Sequence, residues 1–106
     1  MLVKFKNKKL EKTFNSEKEL NKIYGNLAKK IIVRMAVLRG AKNLSLVPPE
    51  PPARRHKLSG NKAGQWAVDL DKNNRLLFEP ITEFDHSEID PVEITAIKIL
   101  KVEDYH

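Results

Sequence analysis

The segment from Val92 to Val102 constrains the fold most, because it carries apolar side chains on both faces of a strand. The alternation puts Ile97 and Ile99 on one face, and Val92, Ile94, Ala96, Leu100 and Val102 on the other. A strand that is apolar on both faces is typical of the interior of a sheet. The rest of the chain must then supply flanking strands, and helices that cover the sheet.

Two helices are predicted before residue 40. Ser16 and Glu19 have the spacing of a capping box, which marks the start of the first helix. Gly25 predicts a break before a second helix, which runs from about residue 26 to residue 39. The apolar stripe of the second helix is interpreted as core and consists of Leu27, Ile31, Met35 and Leu38, widened by Ala28 and Ile32. The pair is a helical hairpin that covers a sheet.

Three more strands are predicted around these helices. Residues 2–5 alternate weakly, and residues 66–70 alternate as a half-buried strand does. Turn-forming residues at 71–74 separate that strand from another at 75–80, so the two are interpreted as a hairpin. The element order is therefore β-α-α-β-β-β. A length of 106 residues suits one domain, residues 1–106, with one core.

Composition narrows the class of partner. Twenty Lys and Arg against fourteen Asp and Glu give a net charge of +6, which favours an anionic partner, although many basic proteins bind no nucleic acid. The chain has no cysteine and three scattered histidines, so neither a metal nor another cofactor is expected. It lacks an apolar run of about 18 residues and an apolar leader, so we expect a cytoplasmic protein with no membrane partner.

The C-terminal residues and a basic cluster together suit metal-free cleavage of RNA. This reaction needs a base for the 2′-hydroxyl proton, an acid for the leaving 5′-oxygen, and cations for the phosphorane. His106 is the leading acid or base candidate, and Tyr105 offers a hydroxyl that can donate a proton or bind phosphate. Lys57 and Arg75 are the predicted phosphate clamps. Asp104 is predicted to orient His106 or Lys57.

The remaining members of the basic cluster, Arg54, Arg55 and His56, are predicted RNA contacts, with His56 as a second proton carrier or a stacking partner for a base. Prolines at 48–52 predict a stiff connector that delivers this cluster. Structural alternatives stay open: a frayed tail for His106, a strand-end core position for Tyr105, surface charge for Arg54 and Arg55, and a partner at Asp69 or Asp71 for Arg75. Tyr105 and His106 share one site only if the chain bends near Asp104.

Six stretches, taken in order, resemble the RelE/ParE superfamily of bacterial toxins, and specifically its HigB-like killer-protein branch. They are Pro48–Glu50, Arg55–Gly60, Gly64–Val68, Arg75–Pro80, Val92–Leu100 and Asp104–His106. The resemblance implies an α+β fold in which two N-terminal helices pack on a small twisted, mostly antiparallel sheet. It also implies a ribosome-dependent endoribonuclease that cuts mRNA in the decoding site. The implied partner is a cognate antitoxin, often with a helix-turn-helix domain.

The same resemblance assigns roles to particular residues and leaves one alternative. Lys57 and Arg75 correspond to the family's cationic positions. His56 corresponds to the histidine of its His-Lys-Leu pattern. The family's C-terminal trio corresponds to Asp104, Tyr105 and His106. The chain departs from the family at Ser59, where Lys is frequent, and at the hairpin turn Asn73-Asn74, which is usually rich in glycine. An acidic loop at residues 83–88 would repel RNA if it lay near the site. The superfamily also contains gyrase poisons, so a non-catalytic toxin that inhibits a target such as DNA gyrase is the alternative.

Overall fold

The computed structural model describes residues 1–83 and 89–104. Within them the order of elements is β1 (Leu2–Phe5), α1 (Lys8–Phe14), α2 (Glu17–Tyr24), α3 (Ala28–Gly40), β2 (His56–Lys57), β3 (Trp66–Asp69), β4 (Asn74–Pro80) and β5 (Ala96–Asp104). The predicted α+β class is confirmed. The described part of the chain adds the helix α1 and the two-residue strand β2 to the elements that the sequence pattern predicted.

The five strands form one sheet in the order β1-β5-β4-β3-β2. Three neighbouring pairs are antiparallel and β1 pairs with β5 in parallel, so the sheet is mostly antiparallel, as the family resemblance implied. Because β5 lies between β1 and β4, the prediction that this segment occupies the interior of the sheet is confirmed.

The start of β5 was predicted wrongly. Pro91–Glu93 forms a short 3₁₀ turn, and the strand begins at Ala96. The side chain of Asp90 accepts a hydrogen bond from the Val92 N–H at 2.9 Å, and a proline in the first turn loses no helical hydrogen bond. This capping overrides the apolar alternation and leaves Val92 54 % exposed, whereas Ile97 is fully buried.

The two predicted helices are α2 and α3, and the predicted helix start at Ser16 is confirmed. The Ser16 hydroxyl accepts a hydrogen bond from the Glu19 N–H at 3.2 Å, which starts α2. Gly25 ends α2 with a φ of 55°, a left-handed conformation that glycine adopts without steric cost. Among the helices in the described residues, none has the length and apolarity needed to cross a membrane.

Helix α1 was not predicted, because its sequence reads as a basic stretch that ends at Lys12. Asn7 begins it by accepting a hydrogen bond from the Leu10 N–H at 2.8 Å. At its other end the buried ring of Phe14 lies 5.6 Å from that of Phe5 and 6.1 Å from that of Tyr24, both edge-on. Seven residues are too few for a clear helical period, so the apolar pattern of the sequence does not indicate this helix.

The core lies between the helices and one face of the sheet. Ile31 and Leu38 of α3 and Phe78 of β4 are fully buried in one cluster, so the prediction that the α3 stripe faces the core is confirmed for them. Ile32 was predicted to widen that stripe but is 39 % exposed. Arg34 instead turns inward, where its Nε donates to the Asp69 carbonyl at 2.6 Å and ties α3 to the end of β3.

Candidate active site

Four of the described candidate residues lie on three strands of the sheet, and Arg54 and Arg55 directly precede the first of these strands. His56 and Lys57 form the edge strand β2, Arg75 lies near the start of β4, and Asp104 is the last residue of β5. Tyr105 and His106 lie outside the described residues, as do residues 84–88 of the predicted acidic loop. The described part of the candidate site therefore consists of residues that precede Tyr105 and His106 in the chain.

The pairing register puts His56 and Arg75 on the same face of the sheet, the one opposite the helices. Residues directly opposite one another on neighbouring strands share a face, and successive residues alternate. Two cross-strand rows on that face are Asp69–Arg75–Glu103 and His56–Ala67–Leu77–Lys101. Strand geometry separates the His56 and Arg75 Cα atoms by roughly 12 Å, so both side chains can reach one bound RNA strand.

Lys57 lies on the other face. It is directly opposite Trp66, which is opposite Phe78 in the core beneath the helices. The two predicted phosphate clamps therefore lie on different faces of the sheet, Lys57 on the edge strand β2 and Arg75 on the central strand β4. Sequence alone gave no sign of this, because the existence and register of the short strand β2 were not predicted.

Arg75 belongs to a charged cluster with two residues that the sequence analysis missed. Its Nε and Nη2 donate to Oε1 of Glu103 at 2.9 and 2.6 Å, and Lys62 Nζ lies 3.0 Å from the second carboxylate oxygen. The side chains of Arg75 and Glu103 are 15 % and 13 % exposed. An antiparallel pairing of β4 with β5 could have suggested Glu103, since it stands opposite Arg75, but Lys62 arrives from a loop.

The electrostatics of this cluster favour the ionised form of Glu103. Burial raises the pKa of its carboxyl, but the hydrogen bonds and charges of Arg75 and Lys62 outweigh burial and hold that pKa below its ordinary value. The carboxylate is therefore an acceptor that fixes two cations in place. The arrangement suits the binding and orientation of a phosphate more than it suits proton abstraction by Glu103.

The β3–β4 turn that positions Arg75 uses a side chain in place of glycine. Asp71 accepts hydrogen bonds from the N–H groups of Asn73 and Asn74 at 2.9 and 2.8 Å, which closes the turn. The hydrogen bond from Asn73 is the largest cause that lowers the pKa of Asp71. The departure from a glycine-rich turn is thus accommodated, and β4 starts directly before Arg75.

Arg54, a predicted RNA contact, also forms an ion pair within the protein. Its Nε and Nη2 donate to the two carboxylate oxygens of Asp69 at 2.6 and 3.0 Å. Its φ of 46° lies in the left-handed region, which is uncommon for a residue with a side chain. Since the Asp69 N–H also donates to the Ala53 carbonyl at 2.7 Å, this pair holds the proline-rich connector against β3.

The hydrogen bond of His56 determines which of its ring nitrogens can take part in proton transfer. Its Nδ1 lies 2.7 Å from the Arg54 carbonyl oxygen, and a carbonyl only accepts, so Nδ1 carries a hydrogen. In the neutral ring, Nε2 is then the nitrogen that can accept a proton. This tautomer suits the sequence-based prediction of His56 as a second proton carrier.

The Trp66 ring packs against two of the predicted cationic side chains, Arg55 and Lys57. The Arg55 guanidinium carbon lies 5.6 Å and the Lys57 ammonium 6.0 Å from the centre of its ring system, within the range of cation–π attraction. Arg55 is also fixed by donation from its Nε to the Val47 carbonyl at 2.9 Å. The indole N–H of Trp66 is buried and lacks a hydrogen-bond partner among the described residues. Its strand pattern indicated a core residue and gave no hint of this second role.

Comparison with known families identifies the class of protein. A family model for HigB-like toxins, described as RelE-like toxins of type II toxin-antitoxin systems, matches residues 3–92. The chain therefore belongs to the HigB-like toxin family, and the family resemblance stated from the sequence is confirmed. It is a type II toxin of the RelE kind. A comparison with curated proteins gives no match.

Solved structures show the same fold at low sequence identity. A YoeB/ParE toxin from Agrobacterium tumefaciens is 11% identical with a TM-score of 0.54, and all of each chain is covered. A structure of the YoeB-YefM complex from Staphylococcus aureus is 19% identical with a TM-score of 0.55, covering 100% of this chain and 98% of the other. A YafQ mutant from E. coli is 12% identical with a TM-score of 0.57, covering 96% and 90%. At these identities the likeness establishes the fold alone, which is RelE-like.

Proposed function

We propose that the chain is an endoribonuclease toxin that cuts mRNA on the ribosome, with residues 1–106 as a single toxin domain. The observation that carries the proposal is the ordered cluster of Arg75, Lys62 and Glu103 at the end of β5. That strand leads directly into Tyr105 and His106, the predicted proton-transfer residues. Cations held beside a proton carrier are what RNA cleavage through the 2′-hydroxyl requires.

The proposed reaction is a transfer within the RNA itself. The 2′-hydroxyl loses its proton to a base, and its oxygen bonds to phosphorus while the bond from phosphorus to the 5′-oxygen breaks. An acid gives a proton to the leaving 5′-oxygen. The products are a 2′,3′-cyclic phosphate and a 5′-hydroxyl, so the step needs no oxidant, reductant or further reactant.

Each candidate residue has a role in this reaction. His106 is the acid or the base, Tyr105 binds the phosphate or donates a proton, and Asp104 orients His106 or Lys57. Arg75 and Lys57 stabilise the charge that develops on the phosphorane. The predicted RNA contacts are Arg54, Arg55 and His56, with Nε2 of His56 facing the RNA.

The positions of the clamps support ribosome dependence. Lys57 and Arg75 lie on different faces of the sheet, so we expect the free protein to align RNA poorly. A ribosome that holds the mRNA rigidly would supply the missing alignment. The proposed partners are therefore the ribosome with its mRNA, and a cognate antitoxin, as expected for a cytoplasmic type II toxin. The solved complex of the Staphylococcus aureus YoeB toxin with YefM supports the antitoxin.

Induced expression in bacteria tests the activity. We expect growth arrest, and primer extension should show new 5′ ends within translated regions of mRNA. Purified protein should cut ribosome-bound mRNA much faster than naked RNA. Growth arrest with intact mRNA and inhibited DNA supercoiling would instead establish the gyrase alternative.

Single-turnover cleavage of ribosome-bound mRNA tests the residues. Lys57→Ala and Arg75→Ala should each lower the rate by about 10²–10³, and Arg75→Lys should restore only part of it. His106→Gln keeps hydrogen bonding but not proton transfer, so it should also be inactive. Lys29→Ala is the control, because Lys29 is an exposed lysine on α3. A folded Lys57 or Arg75 variant with full activity would remove that residue from the site.

A further inference from the structure

A small open cavity of about 260 Å³, the α3 pocket, lies between α3, the proline-rich connector and the turn from β3 to β4. The charged residues that line it are Lys30, Arg34, Asp69, Asp71 and Lys72, and two apolar residues join them. A cavity for a drug-sized organic ligand is usually larger, about 300–1,000 Å³, and mostly apolar. The α3 pocket therefore suits a small charged group.

Arg34 is the cation that the fold holds in this pocket. The residue is 8 % exposed, and its Nε is already used by the hydrogen bond to the Asp69 carbonyl at 2.6 Å. Its two Nη groups form no hydrogen bond or ion pair with the described residues, yet they are not sealed from solvent. An anion that enters the pocket can accept hydrogen bonds from both Nη groups of this mostly buried guanidinium.

The two carboxylates of the pocket are already engaged by other donors. Asp69 accepts a hydrogen bond from Arg54 on each of its two oxygens. Asp71 accepts hydrogen bonds from the N–H groups of Asn73 and Asn74. Since the charge of Arg54 offsets that of Asp69, the three cations of the pocket face one further carboxylate, which leaves a local excess of two positive charges.

Lys30 and Lys72 contribute to the pocket from the helix and from the turn. Both residues are exposed, and neither forms a salt bridge with the described residues. The hydrogen bond from Asn73 is the largest cause that lowers the pKa of Asp71, and the charge of Lys30 lowers that pKa further. The Lys30 ammonium is therefore within electrostatic reach of the turn. Two flexible lysines beside a fixed guanidinium can surround one tetrahedral anion.

The pocket lies at the same end of the sheet as the candidate active site. Lys72 precedes Arg75 by three residues, so their Cα atoms are at most about 11 Å apart. Asn74, in the same turn, stands opposite Asp104 of β5. Arg75 lies on the sheet face away from the helices, whereas the pocket lies beside α3. A phosphate in the pocket is therefore a different one from the phosphate that Arg75 is proposed to bind.

We propose that the α3 pocket binds a phosphate group in addition to the one at the candidate active site. A guanidinium binds phosphate through two nitrogens, and ammonium groups add point charges. The excess of positive charge disfavours a cation as the ligand, and the small share of apolar lining disfavours a peptide. The group comes from an RNA backbone or from a free phosphate compound. The RNA source rests on the proposed function, whereas the pocket itself does not.

The two lysines are the residues to vary, because Arg34 also ties α3 to the end of β3 and its loss would weaken the fold. The pocket variant is Lys30→Ala with Lys72→Ala. The control is Lys18→Ala with Lys29→Ala, which removes the same charge from exposed lysines that do not line the pocket. Circular dichroism and thermal unfolding should show that both double variants fold, because all four lysines are exposed.

Inorganic phosphate is the first probe, titrated into the isolated protein at constant ionic strength. NMR follows the Nε–H resonance of Arg34, and chloride serves as the reference anion. We expect a saturable shift with phosphate, a Kd raised by about tenfold or more in the pocket variant, and an unchanged Kd in the control. This titration involves neither ribosomes nor catalysis.

Ribosome binding is the second probe, measured by sedimentation at several salt concentrations. Each phosphate contact contributes about 0.7–0.9 to the slope of the logarithm of affinity against the logarithm of salt concentration. We therefore expect a slope that is smaller by about one unit in the pocket variant and unchanged in the control. The KM for cleavage of ribosome-bound mRNA should rise in the pocket variant while kcat stays unchanged, because the pocket does not touch the reacting phosphate.

The two probes distinguish the sources of the phosphate. A smaller slope in the pocket variant but not in the control identifies an RNA backbone, and a phosphate shift with an unchanged slope identifies a free phosphate compound. An unchanged slope together with no saturable shift, or with a shift that chloride reproduces, would overturn the proposal. If the wild type neither binds ribosomes nor cuts mRNA, the proposed function is wrong, and the phosphate titration alone then decides whether the pocket binds phosphate.

Discussion

Replacement of Glu103 by glutamine should destabilise the fold far more than the same change at another ion-paired glutamate. The Glu103 carboxylate accepts two hydrogen bonds from Arg75 and forms an ion pair with Lys62. Glutamine keeps one oxygen acceptor but brings its NH₂ group towards a cation and removes the negative charge. The mostly buried Arg75 guanidinium then loses its counter-charge.

The expected size of the effect lies between two limits. Breaking a fully buried pair costs about 3–5 kcal/mol, and an exposed pair contributes about 0–1 kcal/mol. Arg75 and Glu103 are close to the buried limit, whereas Lys62, at 35 % exposure, adds little. We therefore expect Glu103→Gln to lower the free energy of unfolding by about 2 kcal/mol, which shifts Tm by roughly 8–16 °C in a domain of this size.

Urea and thermal unfolding, followed by circular dichroism and by the fluorescence of Trp66, measure the loss. Glu79→Gln is the control, since Glu79 pairs with Lys98 at 3.0 Å but the two side chains are 25 % and 40 % exposed. This control should lose less than about 1 kcal/mol. Equal losses in both variants, or no loss at Glu103, would refute the view that burial makes the Arg75 pair stabilising.

The pH dependence gives an independent check on Glu103. Its pKa is lower in the folded state than in the unfolded chain, so its contribution to stability is complete above about pH 4.3, the ordinary glutamate value. That contribution is lost as the pH falls through the folded-state pKa. The difference in stability between the wild type and Glu103→Gln should thus stay constant near neutrality and shrink under acid conditions. A difference that stayed constant down to the acid transition would contradict the assignment.

Three further outcomes are expected. Phe78→Ala empties a fully buried position and should lower the free energy of unfolding by about 3–5 kcal/mol in urea titrations; a loss under 1 kcal/mol would place Phe78 outside the core. Asp69→Asn breaks the bidentate ion pair with Arg54, whose side chain is 40 % exposed, so we expect the free energy of unfolding to fall by about 1 kcal/mol. Proteolysis of the connector at residues 48–55 should become faster, and an unchanged rate would show that this ion pair does not fix the connector. Ribosome binding should weaken steeply with salt, given a net charge of +6, and a flat salt response in sedimentation assays would exclude a phosphate-dominated interface.

Much of the fold could be predicted because the decisive signals are local. The Ser16–Glu19 spacing and the apolar stripe of α3 each indicate a helix within a few turns, and the apolar residues on both faces of β5 indicate an interior strand. Helix α1 could not be predicted, because the contacts of Phe14 with Phe5 and Tyr24 form only after folding. The start of β5 was wrong because the turn at Asp90 outweighed the strand pattern.

The candidate site could likewise be predicted only in part. Candidate cations such as Arg75 can be chosen by residue type, but their partners depend on register and on loops. Lys62 reaches Glu103 from the β2–β3 loop, and Lys57 lies over Trp66 through the pairing of a two-residue strand. No periodic pattern in the sequence indicates either of these two contacts. The roles of Tyr105 and His106 stay predictions, since both residues lie outside the described structure.

The parallel pairing of β1 with β5 has a consequence for the order in which the toxin assembles during its own synthesis. β1 is translated before the other described helices and strands, yet its partner β5 is made after all of them. Contacts between such distant parts of a chain form slowly, because a long loop must close before they are gained. A nascent chain therefore carries helices and an incomplete sheet, and it gains β5 only at a late stage. A type II toxin with this topology is therefore still unassembled while most of it is being made.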